Sequence, residues 1–297
     1  MKVSEKIQGV YCVLVTPFKD DESIDEDRLR SHIDRVIENG VDGVIIGGST
    51  GEFASLSEEE RKRLIEVGIK DVNGRVPIVV GTMAPSTKET IRWSKFAEDL
   101  GAAGLLIVNP YYGSITDEAL YQHFKRVAEA VNIPVMPYNN TDTSGNDLKP
   151  EIINRLVDEG KINYVKACVD TRRMQDIIGP CGGKINVFTG VDDLLFQCFT
   201  LGGTGCVSGA SNVVPRIIKK LYNLIVKENN IKAARDLWFK LVPLVTLFET
   251  AKVWIPNIKA ACEIIGDPVG PPRRPLLPAS DETKQELRRL LKDVGAL

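Results

Sequence analysis

The sequence alternates, along most of its length, between short apolar runs and longer amphipathic stretches. Eight apolar runs are candidate strands, and each is followed by a segment whose apolar residues recur three and four positions apart, as in a helix that buries one face. The candidate strands are residues 10–16, 43–46, 77–81, 104–108, 134–138, 162–168, 185–189 and 205–208. Eight strand–helix units predict an α/β protein of the (β/α)8 TIM-barrel class.

A doubly wound parallel sheet is the alternative fold. Such sheets usually carry a G-x-G-x-x-G turn after the first strand, whereas this chain continues with KDDESIDEDR at residues 19–28. About 80 residues follow the eighth candidate strand, and they contain more helical pattern than one barrel unit needs. We therefore expect a (β/α)8 barrel over residues 1–225 and a C-terminal helical extension over residues 226–297, with a proline-rich connector at residues 266–280.

The charge and the cysteine pattern of the chain argue against several classes of protein. A formal net charge of -2 on 297 residues gives no reason to expect nucleic acid or a membrane as partner. No apolar run has the length of a membrane span or of a signal peptide, so we expect a cytoplasmic protein. The cysteines form no C-x-x-C pair and the two histidines no ligand cluster, which predicts reduced thiols and no metal site. These residues are Cys12, Cys168, Cys181, Cys198, Cys206, Cys262, His32 and His123.

A lysine, Lys166, lies near the end of the sixth candidate strand, where an apolar residue would fit. One interpretation is that its side chain extends to solvent. The other follows from the fold, because the active site of such a barrel lies where the strands end. A desolvated lysine there has a lowered pKa and attacks ketones or aldehydes to form a Schiff base. Tyr138, at the end of the neighbouring strand, is either the phenol that transfers the protons or a core tyrosine.

The second strand runs into GGSTGE at residues 47–52. This segment is either a tight strand-to-helix turn or an anion-binding loop. In the second case its backbone N–H groups and the Ser49 and Thr50 hydroxyls would hold a small carboxylate. It lacks the G-K-[ST] ending of a phosphate-binding loop, which argues against nucleotide binding.

Four motifs together carry a resemblance to a known family. GGSTGEFASLSEEER, NPYY, YNN followed by SG, and VKACVD resemble the family of dihydrodipicolinate synthase and N-acetylneuraminate lyase, over essentially the whole chain. The spacing is also similar, with 89 residues from Ser49 to Tyr138 and 28 from Tyr138 to Lys166. The resemblance implies class I aldolase chemistry without a metal or a cofactor. In it Lys166 forms a covalent Schiff base with a 2-oxo acid, and Tyr138 transfers protons.

The same resemblance implies roles for further residues and an assembly. Ser49 and Thr50 match the hydroxyl pair of the carboxylate-binding loop, and Val207 matches the eighth-strand wall of the pyruvate pocket. Tyr112 matches the tyrosine that a neighbouring subunit contributes to a proton relay in the synthase branch. The family usually forms a homotetramer, and we expect one here.

The chain departs from both branches of the family at positions that contact the second substrate. The synthase branch has an arginine five residues after the site tyrosine, and this chain has Thr143, next to Asp142. The lyase branch has a threonine two residues after the lysine, and this chain has Cys168. The pair Asp192 and Asp193 resembles aldolases of 2-keto-3-deoxy sugar acids, and carboxylates accept hydrogen bonds from sugar hydroxyls.

These features predict a lyase that acts on a 2-oxo acid. The leading hypothesis is an aldolase or dehydratase of a 2-keto-3-deoxy sugar acid that gives or uses pyruvate. One alternative is 4-hydroxy-tetrahydrodipicolinate synthase, which joins pyruvate to aspartate semialdehyde. Another is a keto-acid-binding barrel without catalysis. The intact set of Lys166, Tyr138 and Ser49 argues against the last, since a protein that only binds needs no nucleophile.

Overall fold

Eight parallel strands close into a barrel in the computed structural model, which describes residues 7–181, 183–250 and 254–297. Each strand pairs with the next in the chain, and β8 pairs with β1. The strands are β1 Gly9–Val13, β2 Gly43–Ile46, β3 Ile78–Gly81, β4 Gly104–Val108, β5 Val135–Asn140, β6 Tyr164–Cys168, β7 Asn186–Thr189 and β8 Gly205–Ser208. Each predicted strand overlaps its observed counterpart, so the predicted (β/α)8 barrel is confirmed.

Helices follow the strands and continue beyond them. Those between β1 and β8 are α1 Glu26–Glu38, α2 Glu58–Val72, α3 Thr87–Asp99, α4 Asp117–Ala130, α5 Thr141–Ser144, α6 Pro150–Asp158, α7 Thr171–Ile178 and α8 Leu195–Thr200. After β8 come α9 Pro215–Tyr222, α10 Ile231–Glu249, α11 Trp254–Ile264 and α12 Asp281–Asp293. In the described part of the chain, none of these helices combines the length and the apolar character that a membrane span requires.

The C-terminal helical extension is present as predicted. Its proposed boundary between residues 225 and 226 falls inside the helical turn Asn223–Lys227, which directly continues α9. The division into two domains at this point therefore stays a prediction.

The start of α2 shows how local sequence fixes one end of the loop that follows β2, GGSTGE at residues 47–52. The Ser57 hydroxyl accepts a hydrogen bond from the Glu60 backbone N–H at 3.2 Å, and the Glu60 carboxylate accepts one from the Ser57 N–H at 2.8 Å. This is a capping box, and it satisfies two of the unpaired N–H groups at a helix start. The GGSTGE loop is thus bounded by β2 on one side and a fixed helix start on the other.

The strands are buried on both faces, as expected for a parallel sheet that is covered by helices. The extension packs against the end of the barrel where the strands finish. There α10 contacts the helical turn Asp192–Leu194 after β7, and α11 contacts the turn Ala210–Asn212 after β8. Residues of the extension therefore lie beside the loops in which a barrel active site is built.

A buried ion pair joins the loop after β2 to the C-terminal extension. Glu52, at the end of GGSTGE, lies 2.7 Å from the Lys259 ammonium of α11, and both side chains are buried. Lys259 also donates hydrogen bonds to the carbonyl oxygens of Thr16 and Pro271, at 2.8 and 2.9 Å. The Arg273 N–H donates to the other Glu52 oxygen at 2.8 Å. The loop after β2 is therefore held by α11 and by the connector, and Lys259 of α11 also binds the segment that follows β1.

Candidate active site

Lys166 lies inside the barrel. In the strand register it is opposite Tyr138 of β5 on one side and Phe188 of β7 on the other. Only 5% of Lys166 is exposed, and its Nζ lies 3.8 Å from the centroid of the Tyr138 ring. This burial contradicts the interpretation in which the side chain extends to solvent, and it agrees with an inward-facing amine.

The environment of Lys166 favours the neutral amine. Burial lowers the pKa of Lys166, and the charges of Cys168, Glu249 and Asp192 oppose this only in part. Among the described residues, Nζ forms no ion pair and no hydrogen bond, and the face of the Tyr138 ring is its near neighbour. A buried amine without a paired carboxylate is the arrangement that makes lysine a nucleophile.

Tyr138 is held so that its phenol stays protonated. Its oxygen accepts a hydrogen bond from the Asn140 side-chain amide at 2.8 Å, and the Cys168 Sγ lies 3.8 Å from the same oxygen. Burial raises the pKa of Tyr138 well above its ordinary value. The Ser49 hydroxyl lowers that pKa slightly, although its oxygen has no hydrogen-bond partner of standard geometry among the described residues. A protonated phenol beside the amine can pass protons to and from a bound carbonyl.

The position of Lys166 depends on a glycine after β7. A Cβ atom at Gly190 would lie 2.1 Å from Lys166 Cε and 2.4 Å from Cys168 Sγ. Both distances are far inside van der Waals contact, so a side chain at this position would displace the lysine.

A cavity of about 590 Å³ opens over Lys166, a size typical of small-molecule sites. Seven of the nine predicted site residues line this main cavity, namely Thr50, Tyr138, Thr143, Lys166, Asp192, Asp193 and Val207. The strand ends thus bring together residues that are up to 157 positions apart in the sequence.

The other two predicted residues lie outside the main cavity. Ser49 lines a neighbouring apolar groove of about 260 Å³, which shares Thr143 and Trp254 with the main cavity. Tyr112 is 90% exposed and lines neither the cavity nor the groove. A relay role for Tyr112 would require a site on another chain, and that role stays a prediction.

Four carboxyl groups line the main cavity, and together they are called the carboxyl wall here: Asp142, Asp192, Asp193 and Glu249. Asp192 is buried, and its carboxylate accepts a hydrogen bond from the Ala210 N–H at 2.7 Å. The Asp192 N–H in turn donates to Glu249 Oε1 at 2.7 Å. Burial, followed by the charge of Asp192, raises the pKa of Glu249 to about 8.

Sequence reasoning missed the contribution of the extension to this cavity. Phe248 and Glu249 at the end of α10, with Trp254 and Ile258 of α11, complete its lining. The Trp254 indole N–H donates to the Thr50 hydroxyl at 3.4 Å. The one signal in the sequence is a carboxylate at the end of the otherwise apolar run LVPLVTLFE, residues 241–249.

The arrangement can perform carbonyl chemistry through an amine. It offers a desolvated lysine, a protonated phenol, hydroxyl groups on an adjacent loop and a wall of carboxyl groups. No three His, Cys, Asp or Glu side chains within the described ranges converge on a point where they could hold a metal ion.

Comparisons with known proteins agree with this chemistry. A model of the dihydrodipicolinate synthetase family matches residues 6–294. Proteins named 4-hydroxy-tetrahydrodipicolinate synthase are 38% identical in Methanopyrus kandleri, over 98% of both chains, and 39% identical in Syntrophus aciditrophicus, over 98% of this chain and 99% of that one.

A solved structure of a related protein has a similar fold. The chloride-inhibited dihydrodipicolinate synthase of Acinetobacter baumannii, complexed with pyruvate, superposes with a TM-score of 0.93 at 33% identity, over 98% of this chain and 100% of that one. With a family match over almost the whole chain, a closed barrel and a buried lysine in β6, this chain belongs to the dihydrodipicolinate synthetase family of class I pyruvate-dependent aldolases and is an enzyme of the lyase type.

Proposed function

We propose that Lys166 forms a Schiff base with C2 of pyruvate and that the resulting enamine makes or breaks a carbon–carbon bond to an aldehyde. The observation that carries this proposal is the Lys166 amine, buried, without an ion pair, and 3.8 Å from the centroid of the Tyr138 ring. In this reaction Lys166 itself takes the place of a cofactor.

The steps follow from the two side chains. The neutral amine adds to the C2 carbonyl of pyruvate, and Tyr138 passes protons so that water leaves and an iminium forms. Loss of a proton from C3 gives the enamine. In condensation, C3 bonds to the aldehyde carbon, the aldehyde oxygen gains a proton, and water releases the product from Lys166. Cleavage runs through the same steps in reverse.

The loop after β2 is placed to hold the pyruvate carboxylate. Thr50 lines the main cavity, and its hydroxyl is oriented by the Trp254 indole. The Ser49 hydroxyl lowers the pKa of Tyr138. We assign these two hydroxyls and the neighbouring backbone N–H groups to the carboxylate, and Val207 to the opposite wall.

We propose aspartate semialdehyde as the first candidate for the second substrate. The relatives at 38–39% identity are named 4-hydroxy-tetrahydrodipicolinate synthase, and this favours the alternative in the sequence-based prediction over its leading hypothesis. Thr143 is the feature that argues the other way. It lines the main cavity at the position where the synthase branch of the family has an arginine. Threonine cannot form the two-pronged contact that a guanidinium group makes with a carboxylate.

Cleavage of a 2-keto-3-deoxy sugar acid is the second candidate, and the carboxyl wall favours it. Asp142, Asp192, Asp193 and Glu249 offer hydrogen-bond acceptors to a chain of hydroxyl groups. The same wall would repel a carboxylate wherever its members are ionised.

Borohydride trapping tests the shared step. With pyruvate and borohydride, one reduced adduct per chain is expected on the peptide that contains Lys166, and none in Lys166→Ala. An adduct on another lysine would overturn the mechanism, and pyruvate binding without any adduct would identify a barrel that only binds.

Values of kcat/KM measured side by side for aspartate semialdehyde and 2-keto-3-deoxygluconate decide between the two reactions. Thr143→Arg should improve the use of the semialdehyde by roughly ten- to hundred-fold, the gain from a charge-assisted contact. Asp193→Ala should impair the sugar-acid reaction. Efficient semialdehyde use by the unmodified enzyme would exclude a sugar acid as its main substrate.

We also propose that the active form is a homotetramer in which Tyr112 of one chain reaches the site of another. The 90% exposure of this aromatic ring supports the proposal, because an exposed tyrosine is a common anchor at interfaces. Sedimentation should then show a tetramer at assay concentration, and Tyr112→Phe should lower kcat. A fully active monomer would contradict the proposal.

A further inference from the structure

Glu249 reaches the main cavity from outside the barrel. It is the last residue of α10, in the C-terminal extension, and it lines the cavity together with Lys166, Asp192 and Asp193. Its Oε1 accepts a hydrogen bond of 2.7 Å from the Asp192 N–H. One carboxyl oxygen is therefore fixed to the turn after β7.

Several ionisable groups face Glu249 in this cavity. Asp192 and Asp193 come from the turn after β7, and Lys166 comes from β6. Cys168, also on β6, contributes no charge in its thiol form, and burial raises the pKa of that thiol. Three carboxyl groups and one amine thus share a partly desolvated space. Such a cluster is most stable when one carboxyl group holds a proton, since like charges this close disfavour one another.

The polar groups around each carboxyl group favour one holder of the proton. Burial raises the pKa of Asp192, but its carboxylate accepts a hydrogen bond of 2.7 Å from the Ala210 N–H, and the nearby Ser208 hydroxyl and Gly209 N–H also oppose this rise. The described contacts give Glu249 one such donor, the Asp192 N–H. This polar environment favours the negative charge on Asp192 and the proton on Glu249.

We infer that Glu249 keeps its proton at neutral pH and donates a hydrogen bond from it to an oxygen of the second substrate. The inference rests on the proposed function, because it assumes a bound pyruvate enamine that meets a second substrate in the main cavity. That oxygen belongs to the aldehyde in condensation and to the new hydroxyl group in the product. A donor aimed at it stabilises the negative charge that develops during bond formation.

Protonated Glu249 also changes which substrates the cavity admits. A neutral acid accommodates an aldehyde or a hydroxyl group, and it can donate to a carboxylate where an ionised glutamate would repel it. When Glu249 ionises, the donor is lost and a negative charge replaces it. Binding of the second substrate therefore weakens at alkaline pH.

The pH dependence of KM tests the inference, with Glu249→Gln as the central variant. Glutamine keeps the acceptor for the Asp192 N–H and supplies a donor that does not titrate. With a pKa of about 8 for Glu249, KM for the second substrate in the unmodified enzyme should be about ten-fold higher at pH 9 than at pH 7. In Glu249→Gln this rise should disappear, and in Glu249→Ala KM should be high at both values. Aspartate semialdehyde or 2-keto-3-deoxygluconate serves as the probe, whichever the unmodified enzyme turns over.

Glu228→Gln is the matched control, because it makes the same substitution at an exposed position just before α10. It should retain the alkaline rise. Borohydride adducts with pyruvate separate this inference from the proposed function, since at pH 7 they should form equally in the unmodified enzyme and in Glu249→Gln. If the unmodified enzyme forms no adduct, the proposed function is refuted. A normal adduct combined with an alkaline rise that persists in Glu249→Gln refutes the role of Glu249.

Two further measurements do not depend on that variant or on the second substrate. Infrared difference spectra of the unmodified enzyme between pH 7 and pH 9 should show the loss of a protonated carboxyl band. Asp193→Asn should shift this loss to lower pH, because the Asp193 charge helps to raise the pKa of Glu249. If no protonated carboxyl band is present at pH 7, or if the Asp193 substitution leaves its titration unmoved, the inference is wrong.

Discussion

Two buried lysines, Lys166 in the barrel and Lys259 in the extension, show how the same side chain acquires different roles. They are 5% and 2% exposed, so burial does not distinguish them. Lys259 lies 2.7 Å from the Glu52 carboxylate and donates to two carbonyl oxygens. Lys166 has no ion pair among the described residues and faces the ring of Tyr138 across 3.8 Å.

The partners, rather than the depth, set the chemistry of each amine. An ammonium group has three hydrogens to donate, and Lys259 has three oxygen partners for them. Burial lowers the pKa of both lysines, but Glu52 opposes this effect directly at Lys259. Lys259 is thus a structural cation, whereas Lys166 is left with an available lone pair next to an open cavity.

Replacing Lys166 should have the largest effect on activity and little effect on folding. Lys166→Met removes the nucleophile, and kcat/KM should fall by roughly 10⁴–10⁶-fold, as for other nucleophile deletions. Because the amine has no ion pair to lose, an apolar chain of similar length should leave the free energy of unfolding unchanged or higher. Kinetics and denaturant unfolding measure the two quantities. A strongly destabilised Lys166→Met would show that the lysine has a structural partner after all.

Removing the phenol next to Lys166 should have the second largest effect. Tyr138→Phe keeps the ring that Nζ faces and deletes the group that transfers protons, so kcat should fall by about 10²–10⁴-fold. Tyr164→Phe is the matched control, because Tyr164 is a buried tyrosine of β6 that does not line the main cavity. Equal rates for the two variants would reduce Tyr138 to a packing residue.

Replacing Lys259 should show the opposite pattern from Lys166. Lys259→Met leaves the Glu52 carboxylate buried without its ion-pair partner, which should lower the free energy of unfolding by about 3–5 kcal/mol. The protein that remains folded should still form the borohydride adduct with pyruvate. Adding Glu52→Gln to Lys259→Met should restore part of the stability, since it removes the unpaired charge. No recovery in the double variant would mean that the pair is not energetically coupled.

The pH dependence of stability should separate the unmodified enzyme from Lys166→Met by a smaller amount. The pKa of Lys166 is lowered in the folded state, so the unfolded chain binds more protons between that lowered pKa and the ordinary value of 10.5. The stability of the unmodified enzyme should therefore rise with pH in this window relative to Lys166→Met, by at most about 1.4 kcal/mol per pH unit. Urea unfolding at several pH values measures it. Parallel curves for the two proteins would contradict a lowered pKa.

The barrel could be predicted from the sequence because each strand is an apolar run buried on both faces. The spacing of these runs placed Tyr138 and Lys166 at neighbouring strand ends, and the register places them side by side. Strand β5 extends to Asn140, two residues beyond its predicted end, because Asn139 and Asn140 continue the ladder with β6. Polar residues at a strand end resemble a loop in sequence, so their pairing could not be foreseen.

The site could be predicted only where it belongs to the barrel. Glu249 and Trp254 were missed because helical periodicity indicates that a helix packs, and does not indicate which residue reaches a cavity on another element. The sequence-based preference for a sugar acid depends strongly on Thr143, which stands where the synthase branch has an arginine. Another segment of the chain can supply the contact that is lost at this position, and the single substitution does not reveal whether it does.

The cavity has two parts with different origins along the chain, and this division affects how such an enzyme can diversify. The amine, the phenol and the glycine that leaves room for the amine lie on or just after barrel strands, whereas Phe248, Glu249, Trp254 and Ile258 come from the extension. A chimera that exchanges only the extension between relatives would keep the barrel residues that we propose form the imine. It would replace part of the cavity lining that we propose selects the second substrate. New substrate ranges are thus accessible to this lineage through a segment that no barrel strand depends on for its pairing.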